Sequence, residues 1–131
     1  PFFVFLRRKK RLIMNLNYQK EISDSGIVIF ELSGQILSND DSSNIHKEVI
    51  ECIEKEKLKI VFEMKELEYI NSTGLNFIIS SFTKLRNAGG ELTICCISKK
   101  VEELLIITKL NTIFSTYETL EKALESFETK K

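Results

Sequence analysis

The strand and helix patterns of this chain meet at one short stretch, Tyr69-Ile70-Asn71-Ser72-Thr73-Gly74-Leu75. The run before it, residues 60–64, is rich in branched and aromatic side chains and predicts a buried strand. The apolar residues after it recur at helical spacing, at Leu75, Ile78, Ile79, Phe82 and Leu85. The sequence therefore places Ser72 and Thr73 at a helix N-terminus, where backbone N–H groups are unpaired and the helix dipole is positive. A hydroxyl there either caps the helix or stays available as a phosphate acceptor.

Strand and helix patterns also alternate on both sides of this stretch. Strands are predicted at residues 15–22, 27–32, 92–97 and 113–117, with Ser33-Gly34 ending or bending the second of them. Amphipathic helices are predicted around residues 45–53, 101–108 and 120–127, with candidate caps at 39–42 and Ser98, and a helix stop at 87–90. This alternation predicts a single α/β domain with a small mixed, mostly parallel sheet flanked by helices.

Length and composition limit the possible functions. The 131 residues suffice for one domain, and 43% hydrophobic with 29% charged residues is ordinary for a globular protein. No apolar stretch approaches the roughly 20 residues of a membrane-spanning helix. Five basic residues fall within 7–11, so that from Leu12 onward 14 basic residues stand against 19 acidic ones. A body with a net charge of about −5 argues against nucleic acid as the main ligand.

Residues 1–13 differ from the rest of the chain. An apolar run at residues 2–6 precedes the basic cluster, which reverses the order found in a secretory signal peptide. Aromatic and basic residues together are typical of a peripheral membrane contact. Alternatively, Met14 is the natural start of the protein. We expect residues 1–13 to be an extension outside the domain, which takes in residues 14–131.

The residue patterns predict no catalytic site, cofactor or metal. The chain has neither a glycine-rich dinucleotide loop nor a P-loop, and Ser72 lacks the elbow sequence of a hydrolase nucleophile. The cysteines, Cys52, Cys95 and Cys96, show no metal-binding spacing with His46, which is the only histidine. We expect them to be small core residues in a reducing compartment, and His46 to face solvent near the start of the first helix. A non-enzymatic, cytoplasmic protein is therefore predicted.

The segment Leu67-Glu68-Tyr69-Ile70-Asn71-Ser72-Thr73-Gly74-Leu75 resembles the signature of STAS domains, the fold shared by anti-sigma factor antagonists and sulphate-transporter tails. In the antagonists this signature is an apolar residue followed by Asp-Ser-Ser-Gly-Leu. The resemblance continues through residues 84–92 and 97–98, and it includes residues 32–36 upstream and Phe114 with the last helix downstream. It spans roughly residues 15–127 in the family's order of elements.

The resemblance implies a regulatory protein whose second signature hydroxyl is phosphorylated. That position is Thr73, with Ser72 as the less favoured acceptor, and Asn71, Ser72, Thr73, Gly74 and Leu75 form the implied partner-binding surface. The unmodified bacterial antagonists bind a Ser/Thr kinase that is also the anti-sigma factor, and so release its sigma factor. Phosphorylation ends that interaction and a phosphatase restores it. The resemblance implies the same partners here, whereas the acidic body and the lack of a long apolar stretch argue against nucleic acid and an integral membrane segment.

Three residues depart from the antagonist pattern, and other functions stay open. Asn71 replaces the usual Asp, Thr73 replaces the usual Ser, and Leu37 stands where an acidic or polar residue is frequent. One alternative is that Asn71, Ser72 and Thr73 serve capping alone, although a cap needs only one such residue. Another is a non-enzymatic STAS subunit of an ABC-type lipid-transport complex. The third, a small hydrolase using Ser72, has only His46 as a possible base.

Overall fold

Alternating strands and helices form one layered α/β domain, as the sequence patterns predict. The computed structural model describes residues 15–129. Within these residues lie, in chain order, β1 Leu16–Ile22, β2 Val28–Ile36, α1 Asn39–Glu54, β3 Lys59–Ile70, α2 Ser72–Asn87, β4 Glu91–Cys95, α3 Lys99–Ile107, a 3-10 helix Leu110–Thr112, β5 Ser115–Tyr117 and α4 Leu120–Thr129. The sheet order is β1-β2-β3-β4-β5; β1 pairs with β2 antiparallel, and the other pairs are parallel. The predicted fold class is therefore confirmed.

Helices cover both faces of the sheet and bury two apolar clusters. The larger cluster packs α1, α2 and α3 against one face. At its centre the Phe62 ring lies edge-on to the Phe30 ring, with 6.0 Å between the ring centroids, and stacks on the Phe77 ring, with 5.7 Å between the centroids. The smaller cluster packs Ala123 and Phe127 of α4 against the other face. Neighbouring strand residues point to opposite faces, so β3 contributes to both clusters and is buried on both sides.

The strands β2 and β3 extend further than the apolar patterns predict. β2 continues through Ser33 and Gly34 with two shifts of register against β3, so this dipeptide bends the strand instead of ending it. Gly34 has a φ of 97°, and any side chain there would collide with the carbonyl of Asn15. The last part of β3 exposes Lys65, Glu66, Glu68 and Tyr69. Because these side chains are mostly polar, the apolar pattern predicts only the first part of the strand. Both strands therefore project to a common edge at Ile36 and Ile70.

Most helix boundaries follow the predicted signals. α2 ends at Asn87, where Ala88 caps it and Gly89 takes a φ of 87°. α1 begins one residue after Ser38, which is the N-cap, so none of the four expected residues at 39–42 is the cap itself. Asp41 instead completes a capping box with Ser38. The predicted caps put the helix start one to four residues too late, and the capping residue was wrong.

Two further predictions concern the membrane and the N-terminal extension. None of the helices described within residues 15–129 is long and apolar enough to cross a bilayer. The predicted extension at residues 1–13 and the alternative start at Met14 lie outside the described residues.

Candidate functional site

The signature stretch lies at the edge where β2 and β3 end side by side. Ile36 and Ile70 are register partners at these strand ends, and Asn71 follows directly. The Asn71 N–H donates to the Ile36 carbonyl at 3.3 Å, and its side-chain Nδ2 donates to the Leu37 carbonyl at 3.0 Å. Its Oδ1 accepts from the N–H groups of Thr73 at 3.0 Å and Gly74 at 3.2 Å. Asn71 thus caps α2 and ties it to the end of β2.

The hydroxyls of Ser72 and Thr73 take no part in capping. Ser72 is exposed and Thr73 is half-buried, at the first and second positions of α2. Neither hydroxyl makes a hydrogen bond to any residue within 15–129. The helix is capped by an amide, so capping explains Asn71 and leaves both hydroxyls available.

Gly74 is required by packing and not by its backbone angles. A Cβ at Gly74 would lie 2.8 Å from Ile70 Cβ, and 3.1 Å from both Ile36 Cβ and the Ile36 carbonyl oxygen. The first turn of α2 therefore rests directly on the strand ends. Gly74 and Leu75 are both buried, in contrast to the exposed Ser72.

An apolar groove of about 320 Å³ opens beside Ser72, between α2 and α3. Its walls include Ile70, Leu75, Val101 and Leu104, and Lys100 is its charged residue. This groove was missed by the sequence analysis, because α3 follows the signature by nearly thirty residues. The usable signal was the rule that helices following neighbouring parallel strands begin at the same edge of a sheet.

Exposed apolar side chains surround the signature. Tyr69 is 48% exposed and also lines the apolar groove, and Leu37, whose carbonyl accepts from Asn71, is 36% exposed. Tyr69 and Leu37 thus add exposed apolar surface at this edge of the sheet.

The N-terminus of α2 carries an uncompensated helix dipole. Its first turn has no acidic residue, whereas the first turns of α1 and α3 contain Asp40 with Asp41 and Glu102, respectively. The Ser72 N–H also has no partner within the described residues. An unpaired N–H and a positive dipole end together favour an anion at this position.

The other candidate groups lie away from the signature. Burial raises the pKa of the Cys52 thiol and that of the Cys95 thiol, beside which Cys96 lies, so the two buried thiols are kept protonated. Within residues 15–129, no three His, Cys, Asp or Glu side chains are grouped to hold a metal ion. His46 is half-buried between α1 and α2 rather than facing solvent fully, and it makes no hydrogen bond to Ser72.

Comparison with known proteins identifies the family of this fold. The sequence model of the STAS domain family matches residues 18–123. The anti-sigma F factor antagonist of Paenibacillus polymyxa is 29% identical over 116 residues, which cover 88% of this chain and 97% of that protein. The crystal structure of a candidate anti-sigma factor antagonist from Thermotoga maritima has a TM-score of 0.73 and 26% identity, covering 83% of this chain and 92% of that one. The phosphorylated form of the Bacillus cell fate determinant SpoIIAA shares the fold, with a TM-score of 0.69 and 16% identity over 85% of this chain and 99% of its own.

Proposed function

The chain belongs to the STAS domain family, and on this premise we propose that it is an anti-sigma factor antagonist controlled by phosphorylation of Thr73. The observation that carries the proposal is that the cap of α2 and the two unbonded hydroxyls belong to different residues. Asn71 supplies the cap, and the hydroxyls of Ser72 and Thr73 have no partner within residues 15–129. The Paenibacillus relative, which this chain matches over nearly its whole length, supports the regulatory role. Such a role would place the protein in the bacterial cytoplasm.

Thr73 is proposed as the acceptor because it occupies the second hydroxyl position of the signature. A kinase would transfer the γ-phosphoryl group of ATP to Thr73 Oγ1, with ADP and the hydroxyl proton as the other products. The fold tolerates the new group, because an anion at a helix N-terminus interacts favourably with the dipole and the Ser72 N–H. No carboxylate of the first turn of α2 opposes it.

The same phosphate would oppose binding of a partner. The surface around Thr73 includes the exposed apolar side chains of Leu37 and Tyr69 and the apolar groove next to Ser72. A partner that packs on this surface would bury Thr73 beside apolar atoms. Adding about −1.5 to −2 charges there would be unfavourable, because burial against apolar atoms would remove water from the phosphate. A fold that accepts the phosphate and an interface that rejects it together make a switch.

The partner is proposed to be an anti-sigma factor that is also a Ser/Thr kinase, with a phosphatase to reverse the modification. The test is an affinity capture from the native cell, with the intact mass of the chain measured before and after ATP is added. We expect a kinase-type anti-sigma factor to be captured, and the mass to rise by one phosphoryl group. Capture of an ABC-type ATPase with an unchanged mass would instead support the lipid-transport subunit.

Two substitutions locate the switch at Thr73. We expect Thr73→Ala to bind the captured partner and to show no gain of mass with ATP. We expect Thr73→Asp to lose binding, since its carboxylate places a negative charge at the same position. Ser72→Ala is the matched control for the mass measurement and should still gain one phosphoryl group with ATP, which assigns the phosphate to Thr73. Undiminished binding by Thr73→Asp, or phosphorylation that persists in Thr73→Ala, would refute the proposal.

A further inference from the structure

The two adjacent cysteines at the end of β4 lie on the same face of the sheet. β4 ends at Cys95, whose side chain is fully buried in the smaller cluster under α4. Successive residues of a strand normally point to opposite faces. Cys96, however, has a φ of 62° and packs against the same cluster. The left-handed backbone at Cys96 therefore brings the second thiol back to the α4 face.

The two thiols are in contact, and the backbone that allows this contact is unusual. A hydrogen bond joins the side chains of Cys95 and Cys96. Within residues 15–129, positive φ values outside glycine occur at Glu56, Cys96 and Lys109. Glu56 and Lys109 are exposed loop residues, whereas Cys96 is held against the core. A sparsely populated conformation that the surrounding structure holds in place is typical of a functional site.

The two thiols differ in their access to solvent. Cys95 is fully buried, and burial together with the hydrogen bond to Cys96 raises the pKa of its thiol. Cys96 is only half-buried, so it is the thiol that a dissolved oxidant reaches first. Cys52, the third cysteine of the chain, lies in the larger cluster on the opposite face of the sheet. The sheet thus separates Cys52 from the pair.

We propose that Cys95 and Cys96 are a modification site at which a peroxide produces a disulfide between adjacent residues. The Cys96 thiolate attacks hydrogen peroxide and the O–O bond breaks, which leaves a sulfenic acid on Cys96 and releases hydroxide that takes up the thiol proton as water. Cys95 Sγ then attacks the sulfenic sulfur, so that the S–S bond forms and the S–O bond breaks. The hydroxyl group leaves with the Cys95 proton as water. The pair of thiols is oxidised by two electrons, and the peroxide is reduced to water.

Such a disulfide would be reversible and would act at the start of α3. Adjacent cysteines can close only a small ring, and strain in that ring makes the bond easy to reduce. Disulfides in cytosolic proteins are usually transient in this way. Cys96 also donates its N–H to the Tyr117 carbonyl at 2.9 Å, and Ile97 alone separates it from Ser98, the N-cap of α3. Oxidation would therefore change the backbone where β4 passes into α3.

The test is peptide mapping of the full chain after treatment with hydrogen peroxide, with the remaining thiols alkylated by iodoacetamide in urea. Cleavage by trypsin places Cys95 and Cys96 together in the peptide 87–99, and Cys52 in the peptide 48–55. We expect the peptide 87–99 to lose the mass of two hydrogen atoms and to take up no alkyl group. The peptide 48–55 should be alkylated as before. Reduced glutathione, added before alkylation, should restore both thiols of the peptide 87–99.

Single substitutions separate the roles of the two thiols. Cys95→Ala should stop the reaction at the sulfenic acid, which dimedone traps on Cys96. Cys96→Ser should leave Cys95 reduced, because the buried thiol is kept protonated. Cys52→Ala is the matched control and should form the disulfide as the unmodified chain does.

Three results would overturn the proposal. They are two alkylated thiols in the peptide 87–99 after peroxide, a disulfide that joins two chains, and a sulfinic acid on Cys96 beside an alkylated Cys95. Circular dichroism checks that each variant is folded. The peptide map of the unmodified chain decides the question even if a variant does not fold.

Discussion

The junctions from β3 into α2 and from β4 into α3 use serine in opposite ways. At the start of α3, Ser98 is the N-cap and its hydroxyl accepts from the Val101 N–H at 3.2 Å. At the start of α2, Asn71 is the N-cap, and the hydroxyl of Ser72 one residue later bonds nothing within residues 15–129. A serine at a helix start is therefore structural in one junction and chemically available in the other. The difference depends on whether the serine is the N-cap residue, as Ser98 is, or the first residue of the helix, as Ser72 is.

The two junctions differ most at the third residue of each helix. It is Gly74 in α2, where the strand ends leave no room, and Val101 in α3, where a branched side chain fits into the core. We expect Gly74→Ala to lower the free energy of unfolding by about 3 kcal/mol, because the added methyl group forces the helix away from Ile36 and Ile70. Urea denaturation measures this change. Asn76→Ala, at an exposed position in the same part of α2, is the control and should stay within about 0.5 kcal/mol of the unmodified chain.

The amide cap of α2 should contribute more than the hydroxyl cap of α3. Asn71→Ala removes two accepted hydrogen bonds and the donation to the Leu37 carbonyl, so we expect a loss of about 2 kcal/mol. Asn71→Asp keeps the accepting oxygen and adds a charge favoured by the dipole, so it should remain within about 1 kcal/mol of the unmodified chain. Equal losses in the two variants would show that the bond to Leu37, and not the cap, holds the junction.

Removing the cap of α3 should have a smaller effect. Ser98 accepts one hydrogen bond at 3.2 Å, so Ser98→Ala should cost about 1 kcal/mol in the same urea experiment. Ser98→Asn restores a side chain of comparable capping ability and should recover most of the loss. Failure of asparagine to recover it would mean that the hydroxyl has a role beyond capping α3.

The sequence alone predicts where these junctions lie, but it identifies the capping residue at only one of them. Apolar spacing and turn residues place the helix starts within one residue, and Ser98 was correctly predicted as a cap. Asparagine and serine have nearly equal capping preferences, so Asn71-Ser72-Thr73 does not reveal that the amide alone is used. The need for glycine at 74 is equally hidden, because the atoms of Ile36 that exclude a side chain are almost forty residues away. Likewise, the α3 wall of the apolar groove depends on helix packing, which no local pattern reports.

The smallest expected effect is the most informative about the two serines. Because the Ser72 hydroxyl bonds nothing within the described residues, Ser72→Ala should change the free energy of unfolding by less than about 0.5 kcal/mol. Thr73→Ala is the companion variant, and its half-buried methyl group predicts a slightly larger loss with no contribution from the hydroxyl. Thr73→Ser isolates that methyl group and should account for most of the loss in Thr73→Ala. If Ser72→Ala lowers the free energy of unfolding about as much as Ser98→Ala does, then both junctions rely on a serine hydroxyl. Their proposed difference, one hydroxyl structural and the other free for chemistry, would then be lost.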